Sequence, residues 1–252
     1  MTCYQNQSNS PGQPNHQIVK IDAMIKALVF DFDGLILDTE GPEYQSWQEI
    51  YRAYGCSLPL SKWAEGIGSY DAFDPYDYLA EQLGQPVDRA AIRAKRRPRF
   101  AELMANQSIL PGVERYIFKA RKLGLKLGLA SSSPRSWVAG YLAQLGLEAY
   151  FDSIKCADDV ERTKPDPALY LATLQALKVK AHEAIALEDS PNGVLAAKRA
   201  GIFCVAVPNA TTQQLSFGLA DLQISSLAEL SLEKLLLQAT CGRKHISASE
   251  EE

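Results

Sequence analysis

No apolar run in the chain is long enough to cross a bilayer, which excludes a helical membrane span. Positive charge is in deficit. With 26 Lys and Arg against 30 Asp and Glu, the formal net charge of −4 argues against a general nucleic-acid binder. Histidine is scarce. His16, His182 and His245 sit in polar surroundings away from any motif, so neither a histidine triad nor a histidine metal cluster is expected. The five cysteines (Cys3, Cys56, Cys156, Cys204, Cys241) are odd in number and form no Cys-x-x-Cys pair. That pattern fits reduced thiols in a cytoplasmic protein better than a disulfide framework or a zinc site. Residues 1–23 are rich in Gln, Asn, Ser and Pro, lack an apolar signal core, and read as a disordered extension, with Met24 as a candidate alternative start. Residues 238–252 read as a flexible polar tail. What remains is 46% hydrophobic and 22% charged, the balance of a soluble globular protein. At 252 residues it has room for one large domain or a core with an insertion.

One stretch, Lys26 to Glu40, organises the rest. Ala27 to Phe30 is a short apolar run closed by Asp31, Asp33 and Gly34. Such a run reads as a buried parallel strand. Ligands of open parallel sheets bind at the carboxyl ends of strands, where both aspartates fall. Two carboxylates aimed into one space repel unless a cation or a proton intervenes. The plain alternative is a strand-end turn with solvated aspartates.

Residues 41–110 then read as almost wholly helical, with Pro98 as a kink or break. From Pro111-Gly112 onward helices and strands alternate. Strands are expected at 126–130, 153–156, 184–187, 203–207 and 222–224, and the last helix at 227–237. This alternation implies an α/β fold, a doubly wound parallel sheet with helices on both faces and an inserted helical bundle. Polar residues recur at strand ends or just before helices: Ser131, Lys164, Glu188 and Asp189. Singly, each has an ordinary explanation, as a helix cap, a loop lysine or a capping loop. Together they offer carboxylates for a hard cation, with an ammonium and a hydroxyl for a phosphate.

Four motifs, Asp31-Phe32-Asp33-Gly34, Ala130-Ser131-Ser132, Lys164-Pro165-Asp166-Pro167 and Leu187-Glu188-Asp189-Ser190, occur in an order and spacing that resemble the haloacid dehalogenase superfamily. The nearest branch in type is the β-phosphoglucomutase-like group with a helical cap after the first strand. The resemblance implies a Rossmann-like core at 24–40 and 108–237 and a cap at 41–107. It implies Asp31 as nucleophile, Asp33 as general acid and base, Ser131 and Ser132 on the phosphoryl group, and Lys164 bridging nucleophile and phosphate. Mg2+ would be held by Asp31, Asp33 (through its carbonyl), Glu188 and Asp189.

In the cap, the mutases that the chain resembles have a lysine where this chain has Glu65, an arginine near Ser69, and a histidine where it has Glu43. With that clamp for a second phosphate missing, the expectation is a phosphatase for a small phosphomonoester, and a phosphosugar mutase second. A receiver-like phospho-switch is opposed by the Asp-x-Asp spacing and the insertion. Glu43, Glu65, Ser69 and Tyr70 are the candidate substrate-selecting residues. Trp63, Tyr70, Phe73 and Tyr76 are either sugar-stacking or cap core. Lys95 to Arg99 is either a phosphate-steering patch or a solvated helix face. The expected partner is a small phosphorylated molecule, with no nucleic acid and no membrane, bound by a monomer.

Overall fold

The computed structural model describes residues 25–68 and 73–247. Strand β1 (Ala27–Phe30) is buried at every position. It is flanked in parallel by β2 (Lys126–Ala130) and β4 (Ala184–Glu188), with Ala27 opposite both Lys126 and Ala184. Strands β3 (Ser153–Lys155), β5 (Phe203–Ala206) and β6 (Leu222–Gln223) complete a parallel sheet of order β3-β2-β1-β4-β5-β6. The chain order reverses about β1, so the crevice of this doubly wound sheet opens at the carboxyl end of the central strand.

Alternation along β1 sorts its side chains between two cores. Leu28 and Phe30 pack with α5 (Val113–Lys122), α6 (Arg135–Gln144) and α9 (Leu232–Ser247). Ala27 and Val29 face α7 (Ala168–Leu177) and α8 (Pro191–Arg199). Helix α9 starts later than expected and continues through much of the segment read as a tail. The start has a local cause. Arg115 donates to the carbonyls of Leu227 and Ala228, and the Tyr116 hydroxyl donates to that of Leu230, so these acceptors are engaged from α5.

Between β1 and α5 lie α1 (Glu40–Ala53), the short α2 (Leu60–Trp63), α3 (Pro75–Leu83) and α4 (Arg89–Met104). They share a separate core of Trp47, Ile50, Tyr51, Leu58, Trp63, Ile67, Leu79 and Ile92. Asp74 and Asp88 accept backbone N–H bonds at the starts of α3 and α4, satisfying donors that a helix leaves orphaned. Pro98 does not break α4. On either side of it Arg96 bonds Glu43, and Arg99 bonds Glu49, which pins both halves to α1. The chain leaves and re-enters the sheet through touching segments. Leu37 bridges to Ile109, and the Leu110 N–H donates to the Ile36 carbonyl at 2.9 Å. No described helix is long and apolar enough to cross a membrane.

Candidate active site

Asp31 extends β1 by one residue, its N–H donating to the Leu187 carbonyl at 3.0 Å. Its carboxylate therefore emerges at the reversal of the sheet. Lys164, from the loop before α7, is 2% exposed. Its ammonium donates to Asp31 Oδ1 and to Glu188 Oε1, the latter at 2.6 Å. Glu188, the last residue of β4, also accepts from the Tyr170 hydroxyl at 2.5 Å and from the Ser190 hydroxyl at 3.3 Å. Asp189 Oδ2 accepts from the Asn209 amide at 2.8 Å, and that amide also donates to the Gly34 carbonyl at 3.0 Å. Main chain packs directly on these acids. A Cβ at Gly34, where φ is +74°, would lie 2.1 Å from Asp189 Oδ2. One at Gly193 would lie 1.9 Å from Glu188 Oε2. Glycine at both positions is a steric requirement of the site.

Asp33 lies beside this cluster and is bracketed by donors. Oδ2 accepts from Ser133 at 2.6 Å and from Ser131 at 3.3 Å, and Oδ1 accepts from the Trp137 indole N–H at 2.9 Å. The Ser132 hydroxyl points elsewhere and donates to the Gly68 carbonyl across the helical layer at 3.1 Å.

Oxygens of Asp31, Glu188 and Asp189 lie within 4.8 Å of one another, and all three residues are buried. Burial above all, with the charges of Glu188 and Asp33 added and Lys164 opposing, pushes the Asp31 carboxyl up to about 8. Asp189 is driven well above the carboxylate range by burial and then by Asp31 and Glu188. Burial alone would lower Lys164, but the charges and hydrogen bonds of Asp31 and Glu188 outweigh it and hold the ammonium firmly protonated. Three carboxylates thus share one ammonium. The cluster is short of positive charge, and its all-oxygen donor set at this spacing fits a hard divalent cation such as Mg2+.

Asp31 opens the cluster to a cavity of about 950 Å³, lined also by Asp33, by Glu40 at the start of α1, and by further residues of α1 and α4. Burial, and then the charges of Asp33 and Glu43, push Glu40 up to about 8. Glu43 lines the cavity but is occupied, bonded by Arg96 at 2.7 Å and by the Trp47 indole at 3.3 Å. Trp63, Phe73 and Tyr76 line it too, and Trp63 is at the same time part of the helical core. Glu65 does not meet the expectation of a substrate-facing carboxylate. It is exposed, pairs with Lys62 at 2.8 Å, and is absent from the lining because it sits on the outer side of the α2 turn. Ser69 and Tyr70 lie outside the described residues.

The structure therefore brings together Asp31, Lys164, Glu188 and Asp189, sets Asp33 and Ser131 beside them, and turns the Ser132 hydroxyl away. Sequence reasoning missed four residues of the site: Tyr170, Asn209, Ser133 and Trp137. Asn209 alone carried a signal, as a polar residue just beyond the carboxyl end of a strand.

Comparison with known proteins agrees with this geometry. Residues 28–207 match the family model of haloacid dehalogenase-like hydrolases. The Bacillus subtilis (strain 168) protein YhcW, which carries a provisional phosphatase name, is 51% identical over 84% of this chain and 97% of its own. Hexitol phosphatase B of Escherichia coli (strain K12) is 30% identical over 84% of this chain and 97% of its own. A crystal structure of β-phosphoglucomutase from Clostridium difficile superposes with a TM-score of 0.67 at 25% identity, covering 86% of this chain and 98% of that one. The chain belongs to the haloacid dehalogenase-like hydrolase family, and its relatives put it among the phosphoric monoester hydrolases of that family.

Proposed function

We propose that this hydrolase is a Mg2+-dependent phosphatase that cleaves a small phosphomonoester, a sugar phosphate or similar metabolite, through an aspartyl phosphate on Asp31. One observation carries the reading: a buried ammonium, Lys164, clamped between Asp31 and Glu188 with Asp189 adjoining, behind Asp31, which lines a cavity roofed by helices. Residues 24–40 and 108–237 then form the catalytic core, and 41–107 act as a cap that excludes water. Asp31, Glu188, Asp189 and the Asp33 carbonyl would hold Mg2+. The bound cation would supply charge neutralisation for the phosphoryl oxygens and favour ionised Asp31.

In the first step an Asp31 oxygen bonds to phosphorus as the ester P–O bond breaks, and Asp33 gives its proton to the departing alcohol. In the second, Asp33 takes a proton from water as that water attacks phosphorus and the Asp31–phosphorus bond breaks. Lys164 keeps the nucleophile in place and lowers the charge repulsion of the approach. The Ser131 oxygen accepts the Ser133 N–H at 3.0 Å while its O–H donates only a long bond to Asp33, so that O–H can turn to a phosphoryl oxygen, with the Ser132 N–H assisting. Hexitol phosphatase B supports a polyol or sugar phosphate as substrate. The free thiols of Cys56, Cys156 and Cys204 suit a cytoplasmic enzyme, which the reading takes to be a monomer.

Likeness to β-phosphoglucomutase keeps a phosphosugar mutase as the second reading. The test is phosphate release with Mg2+ across sugar phosphates, phosphoglycolate, nucleotides and pyridoxal phosphate, with Asp31→Asn as the inactive control. Sustained release by the wild type alone supports the phosphatase. Conversion of glucose 1-phosphate to glucose 6-phosphate without free phosphate selects the mutase, and no turnover of any ester sinks both.

A further inference from the structure

Helix α4 lies over the cavity and lines it with Arg89, Arg93, Arg96 and Arg97. Two of the four are already neutralised. Arg89 is bonded to Asp74 at 2.8 Å and to Asp77 at 2.5 Å, and Arg96 to Glu43 at 2.7 Å. Arg93 and Arg97 have no hydrogen-bond or ion-pair partner among the described residues. They are one helical turn apart and on the same face, a spacing at which two guanidinium groups can grip one anion. Two other lining residues hold buried N–H groups without an acceptor among the described residues, Trp63 Nε1 on α2 and Arg96 Nε on α4. Donors are thus in surplus above, while the floor carries Asp31, Asp33 and Glu40. Acids and Lys164 thus occupy one end of the site, where the reacting phosphate goes, and two unpaired arginines line the cavity at α4.

We propose that Arg93 and Arg97 form a second anion site, and that the substrate is a small phosphomonoester bearing a second acidic group, a carboxylate or another phosphate, at the end away from the scissile bond. The Lys164 end takes the reacting phosphate and the α4 wall attracts the second group, so an ester with both finds a cationic partner at each end of the cavity. The cap loop that carries the mutase clamp is not needed for this. Its Glu65 faces outward, and the positive charge comes from a different helix. The proposal rests on the phosphatase reading and names its substrate class.

The test uses matched pairs of esters with Mg2+ and the full-length enzyme: 6-phosphogluconate against glucose 6-phosphate for the carboxylate, and fructose 1,6-bisphosphate against fructose 6-phosphate for the phosphate. The wild type is expected to favour the acidic member of at least one pair by about tenfold or more in kcat/KM, the scale of one charge-assisted contact. The pair with the larger ratio identifies the second group. In the Arg93→Gln/Arg97→Gln double variant the ratio should fall toward one, chiefly through KM for the acidic ester, and the corresponding double Lys variant should keep most of it. Circular dichroism confirms that each variant folds. A wild-type ratio within twofold of one in both pairs, or a ratio that the Gln variant leaves intact, overturns the second site while leaving the phosphatase standing. Absence of turnover with p-nitrophenyl phosphate and with every ester overturns the underlying reading instead.

Discussion

Replacing Trp137 with Phe isolates a single hydrogen bond. The indole N–H is the donor to Asp33 Oδ1, whereas Oδ2 keeps Ser133 at 2.6 Å. The ring also stacks on Phe100 of α4, with centroids 5.7 Å apart and planes at 17°, and meets the edge of Tyr141 at 4.7 Å. Phenylalanine preserves an aromatic partner for Phe100 and deletes only the donor. Bonds to a charged acceptor contribute about 1.5–3 kcal/mol, and this one is only part-buried, so the low end of roughly 1.4 kcal/mol, or tenfold in rate, is the appropriate scale. The loss is felt only where the departing oxygen needs a proton. An alkoxide does, and p-nitrophenolate does not. With the best alkyl phosphate from the substrate screen, kcat should therefore fall about tenfold in Trp137→Phe, but less than about twofold with p-nitrophenyl phosphate. Asp33→Asn sets the upper limit, about 10²–10⁴-fold on the alkyl ester. An equal fall on both esters would refute the argument. Trp137 would then act only through its packing between the sheet and α4.

Lys164→Met leaves Asp31 and Glu188 buried without a counter-charge, and urea unfolding should show a loss of about 3–5 kcal/mol; a loss below 1 kcal/mol would contradict the clamp. Glu40 has its folded-state carboxyl raised to about 8, so its own contribution to the stability of the metal-free protein is full below about pH 4.5 and is lost as pH rises through 8. Glu40→Gln should thus match the wild type at pH 4 and exceed it by roughly 1–2 kcal/mol at pH 9 in EDTA, a figure reduced because the side chain is part-exposed to the cavity. Saturating Mg2+ at 100 times its Kd should stabilise the wild type by about 2.7 kcal/mol over the EDTA-treated protein. Asp189→Asn should lose most of that gain, and an equal gain in the variant would remove Asp189 from the metal site.

The central strands were legible because both of their faces are buried. Ala27 to Phe30 and Ala184 to Leu187 are apolar without alternation and stop at acids. Asp31, Glu188 and Asp189 stood out as acids where buried strands end, and Lys164 only through its place in the Lys-Pro-Asp-Pro motif that completes the set. Trp137 and Tyr170 were hidden because an aromatic residue in a helix looks like packing. Their chemistry depends on Asp33, 104 residues away, and on Glu188 in the neighbouring strand. The outward turn of Glu65 was equally hidden, since a four-residue helix has too little periodicity to show which side faces the cavity. Pro98 misled because its intrinsic cost was visible and the arginine clamps that hold both sides of it were not.

The paired exit and return at Leu37 and Ile109 join the four helices to the sheet by a two-ply stalk, and side-chain contacts such as Ser132–Gly68 and Phe100–Trp137 fasten them down. Rotation about that stalk would leave every rung of the sheet intact but would have to release the Ser132–Gly68 bond and the Phe100–Trp137 stack. The same junction lets the whole lid be exchanged as a cassette. The acids at the strand ends and the side chains that line the roof of the cavity therefore sit on separate stretches of chain and are free to diverge at different speeds.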